Sequence, residues 1–235
     1  MIGLALALTL SSVRPEPVEG RPAAVDVGRP STSSGRRGRG RAAARAPQTA
    51  LDAERAFAAD AQTLGQWAAF RKWAGADAIM FVPQPTNAQA WLRDRVEPAH
   101  AVEWSPTASY QSCDGNVVVN TGEWRRADGS VGYFTTVWQR QADGGWRWLV
   151  DSGDQLTIPR ARLRQPAIVR AVCPSPGQPL GPAHMFHSPP PEVQVGTGAS
   201  PDQTLSWGWQ FYQGRHTLSV ALNGRGDVIN DSVAQ

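Results

Sequence analysis

The stretch Gly132–Asp154, GYFTTVWQRQADGGWRWLVDSGD, decides the fold. It contains two runs in which apolar and polar side chains alternate, and the pair Asp143-Gly144 lies between them. Alternation with a period of two is typical of a strand that buries one face, and Asp-Gly between two such runs favours a tight hairpin turn. The stretch therefore predicts two antiparallel strands of one sheet.

Two further strands are predicted immediately before this hairpin. The runs AVEWSPTASYQSC and GNVVVNTGEWRR are followed by Asp114-Gly115 and Asp128-Gly129, which repeat the same turn signal. Four consecutive strands of this kind predict an antiparallel meander. Strict alternation puts these side chains on opposite faces of the third strand: Phe134, Thr136 and Trp138 against Tyr133, Thr135 and Val137. In the fourth strand the same alternation places two sets of residues on opposite faces: Trp146, Trp148 and Val150 on one, and Arg147, Leu149 and Asp151 on the other.

Helices are predicted before the strands. In ALDAERAFAADAQTLGQWAAFRKWA the apolar residues recur at helical spacing, Thr49 or Asp52 can cap the start, and Gly65 divides the run into two helices. A brief strand, AIMFVP, and a short helix, TNAQAWLRDR, follow. The order of helix, helix, strand, helix and meander predicts an α+β domain whose curved antiparallel sheet wraps around the helices.

Composition divides the chain into four parts: 1–45, 46–156, 157–200 and 201–235. The first part begins with an apolar run that resembles the core of a secretory signal, followed by a Pro-, Gly-, Ser- and Arg-rich stretch with no hydrophobic period. Residues 11–41 resemble a translated interspersed genomic repeat, so we interpret this part as a disordered insert in a disrupted signal peptide. A basic tail that binds anionic surfaces and a wrongly assigned start codon are the alternatives. A periplasmic or secreted location is expected by ancestry.

The other two parts follow the predicted α+β domain. Residues 157–200 are rich in proline and predict an extended, irregular segment. In 201–235, the alternation of Leu205, Trp207, Trp209 and Phe211 and a turn at Gln213-Gly214 predict a β-hairpin. Because an isolated hairpin is marginally stable in water, its apolar face is expected to pack on the domain.

The charge distribution argues against a nucleic-acid partner. The net charge is +3, but residues 12–45 contain eight arginines and three acids. The rest of the chain is therefore slightly acidic and offers no basic face for phosphate. The sequence also lacks 18 consecutive apolar residues, so no transmembrane segment is expected.

No cofactor or metal is expected either. The sequence contains no Gly-rich phosphate loop and no nucleophile elbow. His184 and His187 lie three residues apart within the proline-rich segment, while His100 and His216 are distant in sequence. A zinc site would have to be assembled from these by folding alone.

Residues 51–154 resemble the NTF2-like superfamily, specifically its SnoaL-like/DUF4440 type. The resemblance lies in AERAFAADAQTLG, the FVP strand, WSPTASYQSCDG, TGEW and the stretch quoted first. It implies a cone-shaped half-barrel in which helices and sheet enclose a pocket, and commonly a homodimer formed through the sheet. It does not imply one activity, because this fold carries enzymes, carriers and interaction modules.

Three functions are therefore weighed. Binding of a small apolar or aromatic metabolite ranks first, followed by a proton-transfer enzyme of the isomerase or cyclase kind, and then by a protein-interaction module. Two or more ionisable groups converging deep in the cone would favour the enzyme, and a purely aromatic cone would favour the carrier. The candidates for the ligand wall are Trp91, Trp104, Phe134, Trp138 and Trp148.

The candidates for proton transfer are Asp60, Glu123, Tyr133 and Asp151. Asp60 follows the inward Phe57 by about one helical turn, and alternation commits either Glu123 or Trp124 to the interior. Each has a structural alternative. Asp60 can face solvent, and Glu123 can pair with an arginine such as Arg140 or Arg147. Tyr133 can be half-buried on its strand, and Asp151 can bond backbone at a turn or edge.

The two cysteines, Cys113 and Cys173, are the last candidate pair. A bridge between them would close a loop of about 60 residues and would persist only in an oxidising compartment. The alternative is two separate buried thiols.

Overall fold

The computed structural model describes residues 47–177, 180 and 190–232. The predicted signal and insert in residues 1–45, and the pair His184 and His187, lie outside the described residues. The described part is a mixed α+β structure with a large curved sheet and few helices. Within it, no helix has the length and apolar character needed to span a membrane.

The elements follow the predicted order through the meander. The helices are α1 (Ala50–Leu64), α2 (Gln66–Trp73) and α3 (Ala88–Leu92). The strands of the first half are β1 (Ala74–Phe81), β2 (Pro85–Asn87), β3 (Glu103–Gln111), β4 (Val117–Arg125), β5 (Val131–Arg140) and β6 (Trp146–Leu156). The remaining strands are β7 (Ala167–Arg170), β8 (Gln194–Ala199), β9 (Leu205–Tyr212), β10 (Arg215–Leu222) and β11 (Gly226–Ser232).

Local sequence signals set the ends of the helices. The side chain of Thr49 accepts a hydrogen bond from the backbone of Asp52, whose carboxylate in turn accepts one from Thr49, a capping box that starts α1. Gly65 lies between α1 and α2 with φ 107°, a conformation that favours glycine. The Glu97 carboxylate accepts bonds of 2.8 Å from two amides in the first turn of α2. It thus satisfies donors that have no partner within that helix.

The larger sheet has the strand order β2-β1-β6-β5-β4-β3-β7. Strands β3 to β6 form the predicted antiparallel meander, and each Asp-Gly pair lies in the connection between two of them. Strands β1 and β7 add to it in parallel, next to β6 and β3. The inner face, defined here as the face on which the helices pack, carries Trp104, Phe134, Trp138 and Trp148 in the main core.

A second sheet, of order β11-β10-β9-β8, covers the outer face of the larger one. Its apolar residues, among them Trp207, Trp209 and Leu218, form one buried cluster with Val119 and Val137 of the larger sheet. The predicted hairpin therefore corresponds to β9 and β10 inside a four-stranded sheet. The two additional strands are β8 and β11. Strand β8 lies in the segment that was expected to be irregular, and β11 follows the hairpin. A homodimer through this outer face would require the smaller sheet to move away.

A disulfide joins Cys113, after β3, to Cys173, after β7. The two Cα atoms are 5.5 Å apart, within the usual range for such a bridge. At the same corner the backbone amide of Cys113 donates a 2.8 Å hydrogen bond to the hydroxyl of Thr204. Both links connect the meander to the C-terminal third of the chain.

Candidate functional site: a cavity with an aspartate in its wall

A cavity of about 300 Å³ opens beside the inner face of the larger sheet. Phe70 of α2, Trp104 of β3, Trp124 of β4 and Phe134 of β5 form its apolar wall. This volume is at the lower end of the range for small-molecule sites. The cavity is therefore large enough for a small molecule.

Asp151 of β6 lines this cavity on the inner face of the sheet. It lies opposite Thr136 of β5, which also lines the cavity. Strict alternation along β6 would place Asp151 on the face opposite Trp148. The register instead shifts between Trp148 and Val150, so that Leu149 is an extra residue in the strand, a β-bulge. The bulge puts Val150 in the outer cluster and Asp151 in the cavity.

The Asp151 carboxyl is half-buried and faces the cavity. Within residues 47–177, 180 and 190–232, no group donates a hydrogen bond to it. Burial, followed by the charge of Glu54, raises its pKa well above the usual value for an aspartate. A carboxyl group with a raised pKa and access to a cavity is suited to take up and release a proton.

Glu54 of α1 is a second carboxyl group near the cavity, and its side chain is fully buried. Its Oε1 accepts a hydrogen bond of 2.8 Å from the indole of Trp104, and its Oε2 accepts one of 2.6 Å from the indole of Trp138. The amide of Asn120 also donates to Oε2, at 3.3 Å. Burial raises the pKa of Glu54 to about 7, although these three donors act in the opposite direction. Glu54 thus lies directly behind the cavity wall, since Trp104 lines the cavity and also donates a hydrogen bond to Glu54.

The sequence contains a signal for the burial of Glu54, which is absent from the predicted candidates. Ala50, Ala53, Phe57 and Ala61 form the buried stripe of α1, and Glu54 falls inside this stripe at spacings of four and three. A charged residue on the apolar stripe of a helix is seldom buried without partners. Its partners were available in the tryptophans of the meander.

The pKa of Glu54 predicts that stability depends on pH. Below pH 4.5 the group is protonated in both the folded and the unfolded chain. Between 4.5 and about 7 the unfolded chain ionises while the folded one keeps its proton, so the free energy of unfolding falls as the pH rises. We expect wild type to lose about 3 kcal/mol across this window relative to Glu54→Gln. Urea unfolding of both proteins at pH 4.5 and 7.5 measures this difference, and equal changes in the two proteins would contradict it.

Asp60 lies outside the cavity wall, contrary to the expectation from its position in α1. It is half-buried, and its Oδ2 accepts hydrogen bonds of 2.7 Å from both Lys72 and the indole of Trp73 on α2. Because Asp60 follows Phe57 by three residues, its side chain is rotated away from the sheet and points toward α2. Its position indicates that Asp60 joins the two helices.

Glu123 lies on the outer face, because Trp124 is the residue of the two that faces the cavity. Its side chain is buried beneath ion pairs to Arg125 and Arg162. Within the described residues it pairs with neither Arg140 nor Arg147, the arginines proposed from the sequence. The expectation that Glu123 acts inside the cone is therefore wrong, and a paired structural role fits its geometry.

Tyr133 lines the same cavity from the outer side of the sheet. The guanidinium of Arg160 lies 4.3 Å from the centre of its ring. Burial, then the carboxylates of Asp231 and Asp154, raise the pKa of Tyr133, so the phenol is protonated at neutral pH. It can act as a hydrogen-bond donor in the cavity wall.

The five wall candidates divide into two groups. Trp104 and Phe134 line the cavity. Trp138 and Trp148 are fully buried in the core behind it, and Trp91 packs at the edge against Trp67 with ring centres 5.3 Å apart. The predicted residues therefore share one inner cluster, but only part of that cluster faces the cavity.

Within the described part of the chain, no cluster of three or more histidine, cysteine or carboxylate side chains is arranged to hold a metal ion.

Comparison with known proteins gave two structural neighbours of interest. A candidate ketosteroid isomerase from Parabacteroides distasonis has 14% identity, with 46% of this chain and 88% of that chain covered at a TM-score of 0.39. A candidate aromatic ring hydroxylase from Novosphingobium aromaticivorans has 15% identity, with 48% and 90% covered at a TM-score of 0.33. No family model and no curated protein matches the sequence.

Proposed function

We propose that the cavity binds a small apolar or aromatic molecule that contains a carbonyl group, and that Asp151 transfers a proton at the carbon next to this carbonyl. The observation that carries the proposal is the placement of the Asp151 carboxyl. It is half-buried in a wall that it shares with aromatic side chains, and no described group donates a hydrogen bond to it. Such an environment raises the pKa of a carboxyl group toward the range useful for acid and base catalysis.

The chemistry needs one group that takes the proton and others that stabilise the resulting oxyanion. In its ionised form Asp151 removes the proton, and the electron pair of the C–H bond moves toward the carbonyl oxygen as an enolate. Return of the proton to a different carbon isomerises the ligand, and return to the same carbon exchanges its hydrogen. Thr136 and Gln66 contribute a hydroxyl and an amide to the cavity wall, and donors of these kinds can bind an enolate oxygen.

The direction of the pH dependence follows from the pKa of Asp151. The base is active only as the carboxylate, and its pKa is raised above the usual value. The rate of proton removal should therefore increase with pH through this raised pKa and level off above it.

The test is hydrogen exchange at the carbon of a bound ketone. Small aromatic and alicyclic ketones are first screened for a rise in melting temperature, since a ligand that binds the folded state stabilises it. Exchange of the hydrogens next to the carbonyl is then followed by NMR in D2O with the full chain. Asp151→Asn should retain binding but slow the exchange about 100-fold or more, because a positioned base contributes at least that much.

Asp60→Asn provides the matched control. It makes the same substitution in a half-buried aspartate that is bonded to Lys72 and Trp73 outside the cavity. Its exchange rate should equal that of wild type. If Asp151→Asn exchanges as fast as wild type, Asp151 does not carry the proton.

The second candidate function is a carrier for the same class of ligand. The aromatic part of the wall, formed by Phe70, Trp104 and Phe134, favours it independently of Asp151. The feature that places proton transfer first is Asp151 in the cavity wall, with the buried Glu54 behind it.

We also propose that this protein is exported from the cytoplasm. A disulfide between Cys113 and Cys173 supports an oxidising location such as the periplasm or the exterior, because disulfides are rare in reducing compartments.

A further inference from the structure

We propose that Ser152 and His216 form a second reactive pair at the edge of the same cavity, in which Ser152 is a nucleophile toward small activated carboxylic esters. The Oγ atom of Ser152, on β6, lies 3.0 Å from Nε2 of His216, on β10. A serine within hydrogen-bond reach of an imidazole is the first requirement of nucleophilic catalysis. Neither residue takes part in the proton transfer assigned to Asp151.

The pair lies where the larger sheet has a gap. Strand β1 ends at Phe81, and its last pairing with β6 joins Met80 to Asp151. Beyond this point the described part of the chain adds no strand to that side of β6. The cavity extends into the gap, since Ser152 and the next three residues of β6 line it. Ser152 is therefore buried against protein on one side and borders the cavity on the other.

The imidazole is held in position by its surroundings. Its ring stacks on Phe81, with ring centres 4.2 Å apart and planes within 6° of parallel. His216 is buried between the two sheets. Burial lowers its pKa, and the nearby carboxylate of Asp154 acts in the opposite direction. The ring is consequently neutral at neutral pH, which is the form that accepts a proton.

Asp154 and Tyr133 complete the polar environment of the pair. Asp154 lies two residues after Ser152 on the same face of β6, and its charge acts on both His216 and Tyr133. All three of Ser152, Asp154 and Tyr133 line the cavity. A negative charge near the imidazole stabilises the imidazolium that forms when the serine is deprotonated.

The reaction is an acyl transfer followed by hydrolysis. As Ser152 Oγ bonds to the acyl carbon of an ester, its proton passes to Nε2 of His216. The bond to the leaving alcohol then breaks, and His216 returns the proton to that oxygen. Water attacks the acyl-serine by the same route, which releases the carboxylic acid and regenerates the free hydroxyl. The cavity of about 300 Å³ limits the substrate to small aryl or alkyl esters.

Covalent labelling of the full chain with a small alkyl fluorophosphonate tests the proposal. Attack by Ser152 forms a serine–phosphorus bond and expels fluoride. Intact mass spectrometry should show a single adduct, and peptide mapping should place it on Ser152. Ser152→Ala should abolish the adduct. His216→Gln, which can still hydrogen-bond but is a poor proton acceptor, should slow labelling about 100-fold or more.

Two controls separate reactivity from accessibility. Ser109→Ala removes another buried serine, whose Oγ accepts a 3.4 Å bond from the Gln111 side chain, and it should label like wild type. Wild type unfolded in urea should lose the reaction, because the pair is assembled by the fold. Near-UV circular dichroism establishes whether each variant is folded.

Three results would overturn the proposal: no adduct on Ser152 in folded wild type, an equal labelling rate in folded His216→Gln, or an equal rate in unfolded wild type. The first and third need no variant, so the test stands even if His216→Gln does not fold. Labelling reports on Ser152 alone, and its outcome does not decide whether Asp151 carries a proton.

Discussion

Glu54→Ala should lower the free energy of unfolding by about 4 kcal/mol at pH 5. The substitution leaves the indole N–H groups of Trp104 and Trp138 without their acceptor in the centre of the core. A buried donor that loses its partner costs about 1–3 kcal/mol, and the missing side chain also leaves a void beside Phe57. At pH 5 the folded protein retains the proton of Glu54, so no buried charge offsets the loss.

Urea unfolding at pH 5 measures the effect, with two comparisons. Glu54→Gln keeps one acceptor oxygen and should lose about half as much stability. Arg55→Ala changes the exposed neighbour on the same helix and should remain within about 0.5 kcal/mol of wild type. A Glu54→Ala protein as stable as Arg55→Ala would show that the two indoles do not depend on this carboxyl.

The sequence was sufficient to predict the strands of the meander, because each is bounded by a strong local turn signal. Three Asp-Gly turns separate the four strands of the meander, and each glycine has a positive φ of 66°, 87° or 81°. The alternation of β5 correctly assigns Phe134 and Trp138 to one face and Val137 to the other. Such features depend on neighbouring residues, and these are visible in a linear sequence.

The candidate site was less predictable because a single extra residue in β6 decides it. A period of two is reliable only while the register is continuous, and the bulge at Leu149 reverses it. Asp151 was named as a candidate, but the alternation alone gave it the wrong face. Glu54 was overlooked for a different reason. Its burial depends on two indole donors that are 50 and 84 residues away in sequence.

Local sequence patterns also could not predict that a four-stranded sheet covers the outer face of the larger sheet. Strand β8 contains Gly196 and Gly198, which pack against the rings of Trp209 and Trp207 and give it little strand character by composition. Strand β11 pairs with β10 through a register shift and contains few large apolar residues. Both strands are stabilised by pairing within the sheet, and the smaller sheet in turn buries the valines of β4 and β5.

The second large effect concerns the disulfide. Replacing both Cys113 and Cys173 by serine should lower the free energy of unfolding by about 4 kcal/mol, since a bridge across 60 residues restricts the unfolded chain. Urea unfolding of the oxidised wild type and of the double variant measures the loss. Dithiothreitol should lower the stability of wild type to that of the double variant and leave the variant unchanged.

The location of the bridge indicates which part of the structure depends on it. Cys113 is also hydrogen-bonded to Thr204, and the amide of the neighbouring Asp114 donates a 2.7 Å bond to Asp202. These contacts hold the connection between β8 and β9 against the meander. The rate of amide hydrogen exchange in the double variant should therefore increase more in β8 to β11 than in β4 and β5. A loss of stability below about 1 kcal/mol, or equal quickening in both sheets, would contradict the idea that this bridge fastens the smaller sheet.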